Sequence, residues 1–412
     1  MPKLLMIGGN RSTMGAIRAL RAAGFQVAVA EKLPRQYAFE VADRGFAVAP
    51  GDLDGLRAAI RDWGGVDGII GINETAMMSA AILQAELGLP GLVPDVIRRT
   101  TSKLAQRQAW AGDSRLRVPF EIVHSAEDLP QAVLRIGGYP VIVKPDLSHG
   151  GSRGVSLAAS DAEAQAAFAF AEAHGLAGSQ VIVERALKGP QFSAELVTRD
   201  GITRVLAIGR KIKSPAPYRV DLAISYPGIT AEADLDAIER MAAAACARLG
   251  ITRGPGHIEF ALTADGPRPI ELGARCGGSL TGDLAAHVSG YHPMVEAGKL
   301  ACDLPTDGWP AVGKRGAVLM FLAYPPGPAR SLHMPDSVTG DPSVLDADAR
   351  LPDGGMIQPV QWTSQRIGYL GVVGEDGPAT LKHALSLAAQ VRVENDRGEF
   401  HRPITLEAPH DA

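Results

Sequence analysis

Cysteine is scarce in this chain. Three in 412 residues, Cys246, Cys276 and Cys302, are spaced too widely for a disulfide framework or a paired-cysteine zinc site. A reducing cytoplasm is the expected compartment. Charge of one sign is lacking too: 41 Lys+Arg stand against 45 Asp+Glu, a net charge of −4. No basic excess points to nucleic acid, and no like-charged run forms a tail. No apolar stretch approaches the roughly 18 residues that a membrane span needs. The opening MPKLLMIGGN reaches glycine too soon for a secretory signal. Two nucleotide signatures are missing as well. No G-K-[ST] closes a phosphate loop, and Gly8-Gly9-Asn10 is followed only by Gly15, so G-x-G-x-x-G is not formed. A tight turn between strand and helix is the reading there.

A soluble, folded composition is present: 46% hydrophobic and 21% charged residues. The length suggests two or three domains at about 150 residues each. Apolar strands at 3–7, 25–30 and 66–72 alternate with helical spacing at 13–23, 53–63 and 75–87, the pattern of βαβ units on a parallel sheet. Beyond residue 100 the texture changes. A helix is expected over 101–111 with Ser102 as its cap. Strands at 118–123 and 139–144 flank a helix at 126–135. A glycine-rich loop follows, then a helix at 161–174, strands at 180–184, 192–197 and 203–210, and a long helix at 231–249. A strand pair is expected at 256–262 and 269–272. From about 304 the chain is rich in Pro and Gly, with strands at 315–323 and 367–373 and a helix at 379–391.

Two constellations carry chemistry. In Ser148-His149-Gly150-Gly151-Ser152-Arg153-Gly154, glycines let backbone N–H groups converge on an anion, and Lys144 ends the strand just before it. A surface hairpin turn is the alternative. The second pairs Glu259 in His257-Ile258-Glu259-Phe260 with Glu271 in Pro269-Ile270-Glu271-Leu272, across a short turn. A hairpin places both carboxylates on one face, where a cation between them relieves their repulsion. Arg275 follows at a distance suited to a carboxylate or phosphoryl group. Cys276 reads as small-residue packing beside Gly277 and Gly278. Arg210, Lys211 and Lys213 read as a solvated basic face or a phosphate-facing cluster. Tyr218, Tyr226 and Pro227 are placed on the substrate side, and Trp309 and Trp362 in the core.

In order and spacing, these motifs resemble the ATP-grasp superfamily of carboxylate–amine ligases over nearly the whole chain. The resemblance implies an α/β fold with an α+β core: a Rossmann-like pre-ATP-grasp domain (1–100), a central subdomain with the glycine loop (101–183), a core with the metal site (184–300) and a C-terminal subdomain (301–412). Lys103 in TSKLAQRQAW and Lys144 in GYPVIVKP are similar to the two phosphate-binding lysines. HGGSRGV, with His149, Gly150, Gly151, Ser152 and Gly154, is similar to the loop over the β and γ phosphates. In VIVERAL, Glu184 and the backbone of Arg185, Ala186 and Leu187 would read the adenine edge. Gln191 and Glu195 occupy the ribose-contacting region. GHIEF and PIELGAR resemble the metal-ligand strands, with Glu259 and Glu271 as ligands. Gly273 stands where the family commonly has Asn, so water would complete the second ion's shell. ATP and Mg²⁺ are implied, with two ions and Mn²⁺ as a substitute.

GPGHIEF, IELGARCGG and RIGYLGVVG look most like the L-amino-acid ligase (dipeptide synthetase) branch. That likeness implies an amide formed from a carboxylate and an amine through an acyl phosphate, with release of ADP. Lys144 and Arg275 would act in catalysis. His257, Arg275, Gly277, Gly278 and Tyr218 would lie on the substrate side, with His257 and His287 as candidate bases. Small-molecule carboxylate and amine partners, no nucleic acid, no membrane and a homodimer are expected. A biotin carboxylase-like or purine-pathway enzyme, or a nucleotide-binding protein without catalysis, is the alternative.

Overall fold

The computed structural model describes residues 1–404 except Arg35, Asp307 and Pro310. Four parallel strands open the chain: β1 (Lys3–Ile7), β2 (Gln26–Glu31), β3 (Arg44–Ala47) and β4 (Gly68–Gly71). Their spatial order is β3-β2-β1-β4. Between and after them run α1 (Met14–Ala22), α2 (Tyr37–Val41), α3 (Leu53–Asp62) and α4 (Glu74–Leu87). The apolar runs of β1 and β2 are buried on both faces, as in other helix-covered parallel sheets. Asn73 caps α4 by accepting from the Ala76 amide at 2.9 Å.

The single helix expected over 101–111 is two: α5 (Pro94–Thr101) and α6 (Lys103–Trp110). Ser102 breaks them with ψ near 120°, and its hydroxyl caps α6 by accepting from the Ala105 amide. A second sheet follows, in the order β5-β8-β6-β7, from β5 (Phe120–Val123), β6 (Val141–Pro145), β7 (Ser156–Ala158) and β8 (Val181–Arg185). The helices α7 (Leu129–Arg135) and α8 (Asp161–His174) cover it and share its apolar core.

The remainder builds an eight-stranded sheet. In chain order come β9 (Gln191–Arg199), β10 (Ile202–Lys213), β11 (Asp221–Tyr226), α9 (Glu232–Leu249), β12 (Gly254–Thr263) and β13 (Gly266–Gly273). Next are α10 (Thr281–Ser289), α11 (Pro293–Ala301), β14 (Gly316–Leu322), β15 (Gly327–His333), α12 (Asp336–Thr339) and β16 (Val344–Ala349). The chain ends with β17 (Met356–Ile357), β18 (Gly368–Gly374), α13 (Gly377–Ala388), β19 (Arg392–Asn395) and β20 (Phe400–His401). The large sheet runs β13-β12-β9-β10-β11-β14-β18-β16, and a small one runs β17-β15-β19-β20.

The boundary expected at 300/301 therefore crosses a continuous sheet, because β11 pairs with β14 through Ala223↔Met320 to Tyr226↔Ala317. Residues on both sides of that boundary also return to the first unit. Met294, Ala297 and Ala301 of α11 pack with Leu4, Met6 and Phe25. Neither expected core tryptophan is in a core. Trp309 is 37% exposed against Arg199 and Arg204, and Trp362 lies against Arg153, Phe170 and His174. Tyr226, placed on the substrate side from sequence, is instead fully buried in the sheet core with Leu280 and Leu284.

Candidate active site

Helix α6 puts Lys103 and Arg107 one turn apart on the same face. The Arg107 guanidinium donates to both Glu184 oxygens, at 2.7 and 3.2 Å, and to the Ile270 carbonyl at 2.7 Å. Lys144, at the end of β6, donates to the same Glu184 carboxylate at 2.7 Å from the neighbouring strand β8. All three groups are buried. Burial pushes the Lys144 ammonium down to about 8, helped by the nearby Arg107 and Lys103 charges, although Glu184 opposes this. Burial also raises the Glu184 carboxyl, but Arg107 and Lys144 overcome it and hold the group low, at about 2. The Glu184 side chain, expected at the adenine edge, is thus engaged as the counter-ion of two cations.

Glu259 and Glu271 stand directly opposite in the antiparallel β12–β13 pair, beside a register shift at Glu259/Phe260. Each has a lysine. Lys103 Nζ lies 3.6 Å from Glu271, and Lys211 Nζ lies 2.5 Å from Glu259 and 2.9 Å from Asp221. Lys213 completes the cluster at 2.8 Å from Asp221. Lys211 is buried, so the solvated basic face expected here is corrected: β10 turns this side chain inward, where two carboxylates hold its pKa up against burial.

His257 Nδ1 sits 2.5 Å from Glu195 and its Nε2 3.8 Å from Glu259. Burial opposes its charge, but Glu195 prevails and raises the imidazole to about 9. His287 donates from Nε2 to the Gly374 carbonyl at 3.0 Å and lines neither cavity described below. Glu195 is fully buried and also accepts from the Gly277 amide at 3.0 Å, so it positions His257 and the Gly277 turn rather than facing a ribose.

These elements enclose a cleft of about 650 Å³. Lys103, Lys144, Glu184, Glu259, Glu271 and Arg275 all line it. So do His257, Tyr218, Gln191 and the chain from Arg185 to Leu187. Of the glycine loop, Gly150, Gly151 and Ser152 line the cleft. Ser152 has φ +62°, a left-handed backbone uncommon outside glycine. His149 is exposed and does not line it, while Gly154 is buried with its Cα turned toward Pro145 and His174. A segment far along the chain secures this loop: the Thr363 amide donates to the Gly151 carbonyl at 2.9 Å, and Gln361 donates to Tyr218 Oη at 2.7 Å.

Arg275 connects to the first unit. Its guanidinium pairs with Glu74 at the start of α4, which lowers the Glu74 carboxyl against its burial. Gly277 and Gly278 face a second cavity of about 340 Å³ instead of the cleft, and among the described residues Arg275 alone lines both. Glu74, Arg107, Asp221 and Thr363 were missed from sequence. Only Arg107 left a signal, the K-x-x-x-R spacing after Lys103.

A divalent ion fits the oxygen donors of Glu259 and Glu271, hard ligands suited to Mg²⁺. Among the described residues no three or more His, Cys, Asp or Glu side chains gather as a self-sufficient metal site. Such an ion would therefore share these two carboxylates with phosphate oxygens and water.

Residues 137–283 match the ATP-grasp domain family, and residues 320–396 match L-amino acid ligase C-terminal domain 2. The chain is 28% identical over 296 residues to an uncharacterized protein, y4rH, of Sinorhizobium fredii, covering 68% of this chain and 59% of that one. It is 27% identical over 215 residues to the formate-dependent phosphoribosylglycinamide formyltransferase of Actinobacillus pleuropneumoniae, covering 51% and 54%. It thus spans less than two thirds of either curated relative. The fold superposes on an L-amino acid ligase from Bacillus licheniformis with a TM-score of 0.82 at 22% identity, covering 95% of this chain and 98% of that one. With the ATP-grasp match lying over the glycine loop, both glutamates and Arg275, residues 137–283 carry a domain of the ATP-grasp family, and residues 320–396 a C-terminal domain of the L-amino acid ligase type.

Proposed function

We propose that the chain is an ATP-dependent ligase that joins a small carboxylic acid to an amine. The observation that carries this reading is the convergence of Lys103, Lys144, Glu259, Glu271 and Arg275 on one cleft from α6, β6, β12 and the β13 segment. Cations beside paired carboxylates suit a polyphosphate brought with a divalent ion.

In this reading the substrate carboxylate attacks the γ-phosphorus of ATP. The bond to the β-phosphate oxygen breaks, and an acyl phosphate and ADP form. The amine then attacks the acyl carbon, the C–O bond to phosphate breaks, the departing phosphate takes up the proton that the amine nitrogen loses, and the amide and phosphate leave. Lys103 and Lys144 offset charge on the phosphates, and the loop amides of Gly150 to Ser152 cover them. Glu184 fixes Lys144, so that its ammonium is aimed before nucleotide arrives. Arg275 orients the carboxylate and the acyl phosphate formed from it. When bound by Glu259 and Glu271, Mg²⁺ supplies Lewis-acid stabilisation of the transferring phosphoryl group. Closure over the cleft excludes water that would hydrolyse the acyl phosphate.

The L-amino acid ligase type of the C-terminal domain favours amino acids or related amides over a purine-pathway acceptor, the second reading that the formyltransferase likeness raises. ADP release with Mg-ATP, assayed over a panel of acids and amines, tests both. Turnover that requires an acid and an amine together supports the ligase. Turnover only with a phosphoribosyl amine supports the second reading, and none with any pair overturns both.

A further inference from the structure

Between β17 and β18 the chain leaves the sheets and meets three neighbours around the cleft. One is the glycine loop. The Thr363 amide donates to the Gly151 carbonyl at 2.9 Å, and the Arg153 guanidinium lies 4.9 Å from the centre of the Trp362 ring. A Cβ placed on Gly151 would stand 2.1 Å from Thr363 Oγ1, so loop and segment lie flush. The second neighbour is α8, where Trp362 meets His174 at 5.0 Å and Phe170 at 6.3 Å between ring centres. The third is the turn before β11, whose Tyr218 hydroxyl accepts from Gln361.

The far end of the segment is anchored to the large sheet. The Arg366 guanidinium sits 3.5 Å from the centre of the Phe321 ring on β14 and donates to the Asp221 carbonyl on β11 at 2.8 Å. Through Nε it also donates to the Thr363 carbonyl at 2.8 Å, which fixes the turn that presents Thr363. Burial pulls this guanidinium down to about 10, and it stays charged at neutral pH. Residues 361–366 thus join the large sheet to the loop between β6 and β7 of the smaller one.

The loop needs such support. Gly150, Gly151 and Ser152 all have left-handed backbones, at φ +73°, +65° and +62°. For serine that conformation is unfavourable and persists only where the surroundings over-determine it. Bonds inside the loop are long, 3.4 Å from the Arg153 amide to the Gly150 carbonyl and 3.2 Å from Val155 to Ser152. The two residues beside Ser152, Gly151 and Arg153, are the ones that the distant segment holds.

We infer that residues 361–366 form a latch that holds the glycine loop over the cleft before nucleotide arrives, with Trp362 and Thr363 as positioning residues. Its contacts stand apart from the ligase reading, on which only the consequence for nucleotide rests. A loop already ordered costs little further conformational entropy when it covers phosphates, so releasing the latch weakens nucleotide binding.

Trypsin digestion of the nucleotide-free full chain, with the cut after Arg153 followed by mass spectrometry, tests the latch. Thr363→Pro removes the amide donor at the first position of a short 3₁₀ turn, where proline is accommodated after the extended Trp362. Trp362→Ala removes the platform under Arg153. Each should speed that cut about tenfold. Trp362→Phe keeps a ring beneath the guanidinium and should restore most of the protection. Isothermal titration with the non-hydrolysable analogue AMP-PNP and Mg²⁺ should show about fivefold weaker binding to Thr363→Pro and Trp362→Ala. Equal cutting in the parent and both variants, or faster cutting that Trp362→Phe fails to restore, overturns the latch. Faster cutting with unchanged AMP-PNP affinity overturns the pre-ordering of the loop for nucleotide. Failure of the parent to bind AMP-PNP overturns the ATP reading, while the digestion still decides the latch.

Discussion

The guanidinium of Arg275 closes on a single carboxylate oxygen of Glu74, at 3.1 Å from Nε and 2.5 Å from Nη2. This contact joins the loop after β13 to the N-terminus of α4 and leaves Nη1 on the Cys276 carbonyl. Glu74 thus aims Arg275 at the wall between the two cavities.

Glu74→Gln keeps the shape and removes the charge. Its expected effect is a rise of about tenfold in KM for the acid, with AMP-PNP affinity unchanged. Steady-state kinetics with each substrate varied separately checks this. An equal rise in KM for ATP would show that Glu74 serves the cleft as a whole.

Glu271 and Glu259 differ in what surrounds them, since Glu259 is held by the buried Lys211 whereas, among the described residues, Glu271 pairs with Lys103 at 3.6 Å. Glu271 is therefore the more available donor. Glu271→Gln should lower acid-dependent ADP release by about 10²–10³-fold, the loss of about 3–4 kcal/mol of transition-state stabilisation. Mn²⁺ titration followed by electron paramagnetic resonance, with AMP-PNP present, should show weaker ion binding in the variant while its circular dichroism matches the parent. Unchanged Mn²⁺ affinity would remove the ligand assignment.

Lys144 carries a pH signature. Its ammonium is held down to about 8 by burial and by neighbouring cations, against an ordinary value of 10.5. It is charged below pH 8 and loses its proton as pH rises through that value. A polyphosphate favours the charged form, so AMP-PNP affinity should fall above pH 8, with proton uptake on binding near pH 8.5. Titrations in buffers of different ionisation enthalpy measure that uptake. Lys144→Arg, which stays charged, should abolish it.

Glu184 is the counter-ion of Arg107 and Lys144 at a site where all three side chains are at most 6% exposed. Removing one partner from such a cluster leaves charge uncompensated. Glu184→Ala should destabilise the fold by about 3–5 kcal/mol, read from urea unfolding. A loss under about 1 kcal/mol would mean that water replaces the carboxylate.

What could be read from the chain was whatever is written locally. The helix at Asp161–His174 has the bounds its apolar spacing gave, with Ser160 accepting from the Glu163 amide at its start. Likewise the turn between Glu259 and Glu271 fixes a hairpin whose period of two puts both side chains on one face. Other features were misjudged for one reason. Lys211 sits in a basic stretch that looks solvated, and its burial depends on Asp221 from β11 and Glu259 from β12. Trp362 looks like core material, yet it serves as a platform for Arg153 beside the glycine loop.

By itself, the order of residues determined elements such as the helix at Asp161–His174, the hairpin of glutamates and the lysine preceding the glycine loop, because periodicity, caps and turn chemistry act over a few neighbours. Tertiary packing alone decided which charges meet: Glu74 with Arg275 across 201 positions, Arg107 with Glu184 across 77, Thr363 on the glycine loop. Burial sets the strength of those pairings, and burial is a property of how distant segments come together, which no local pattern encodes.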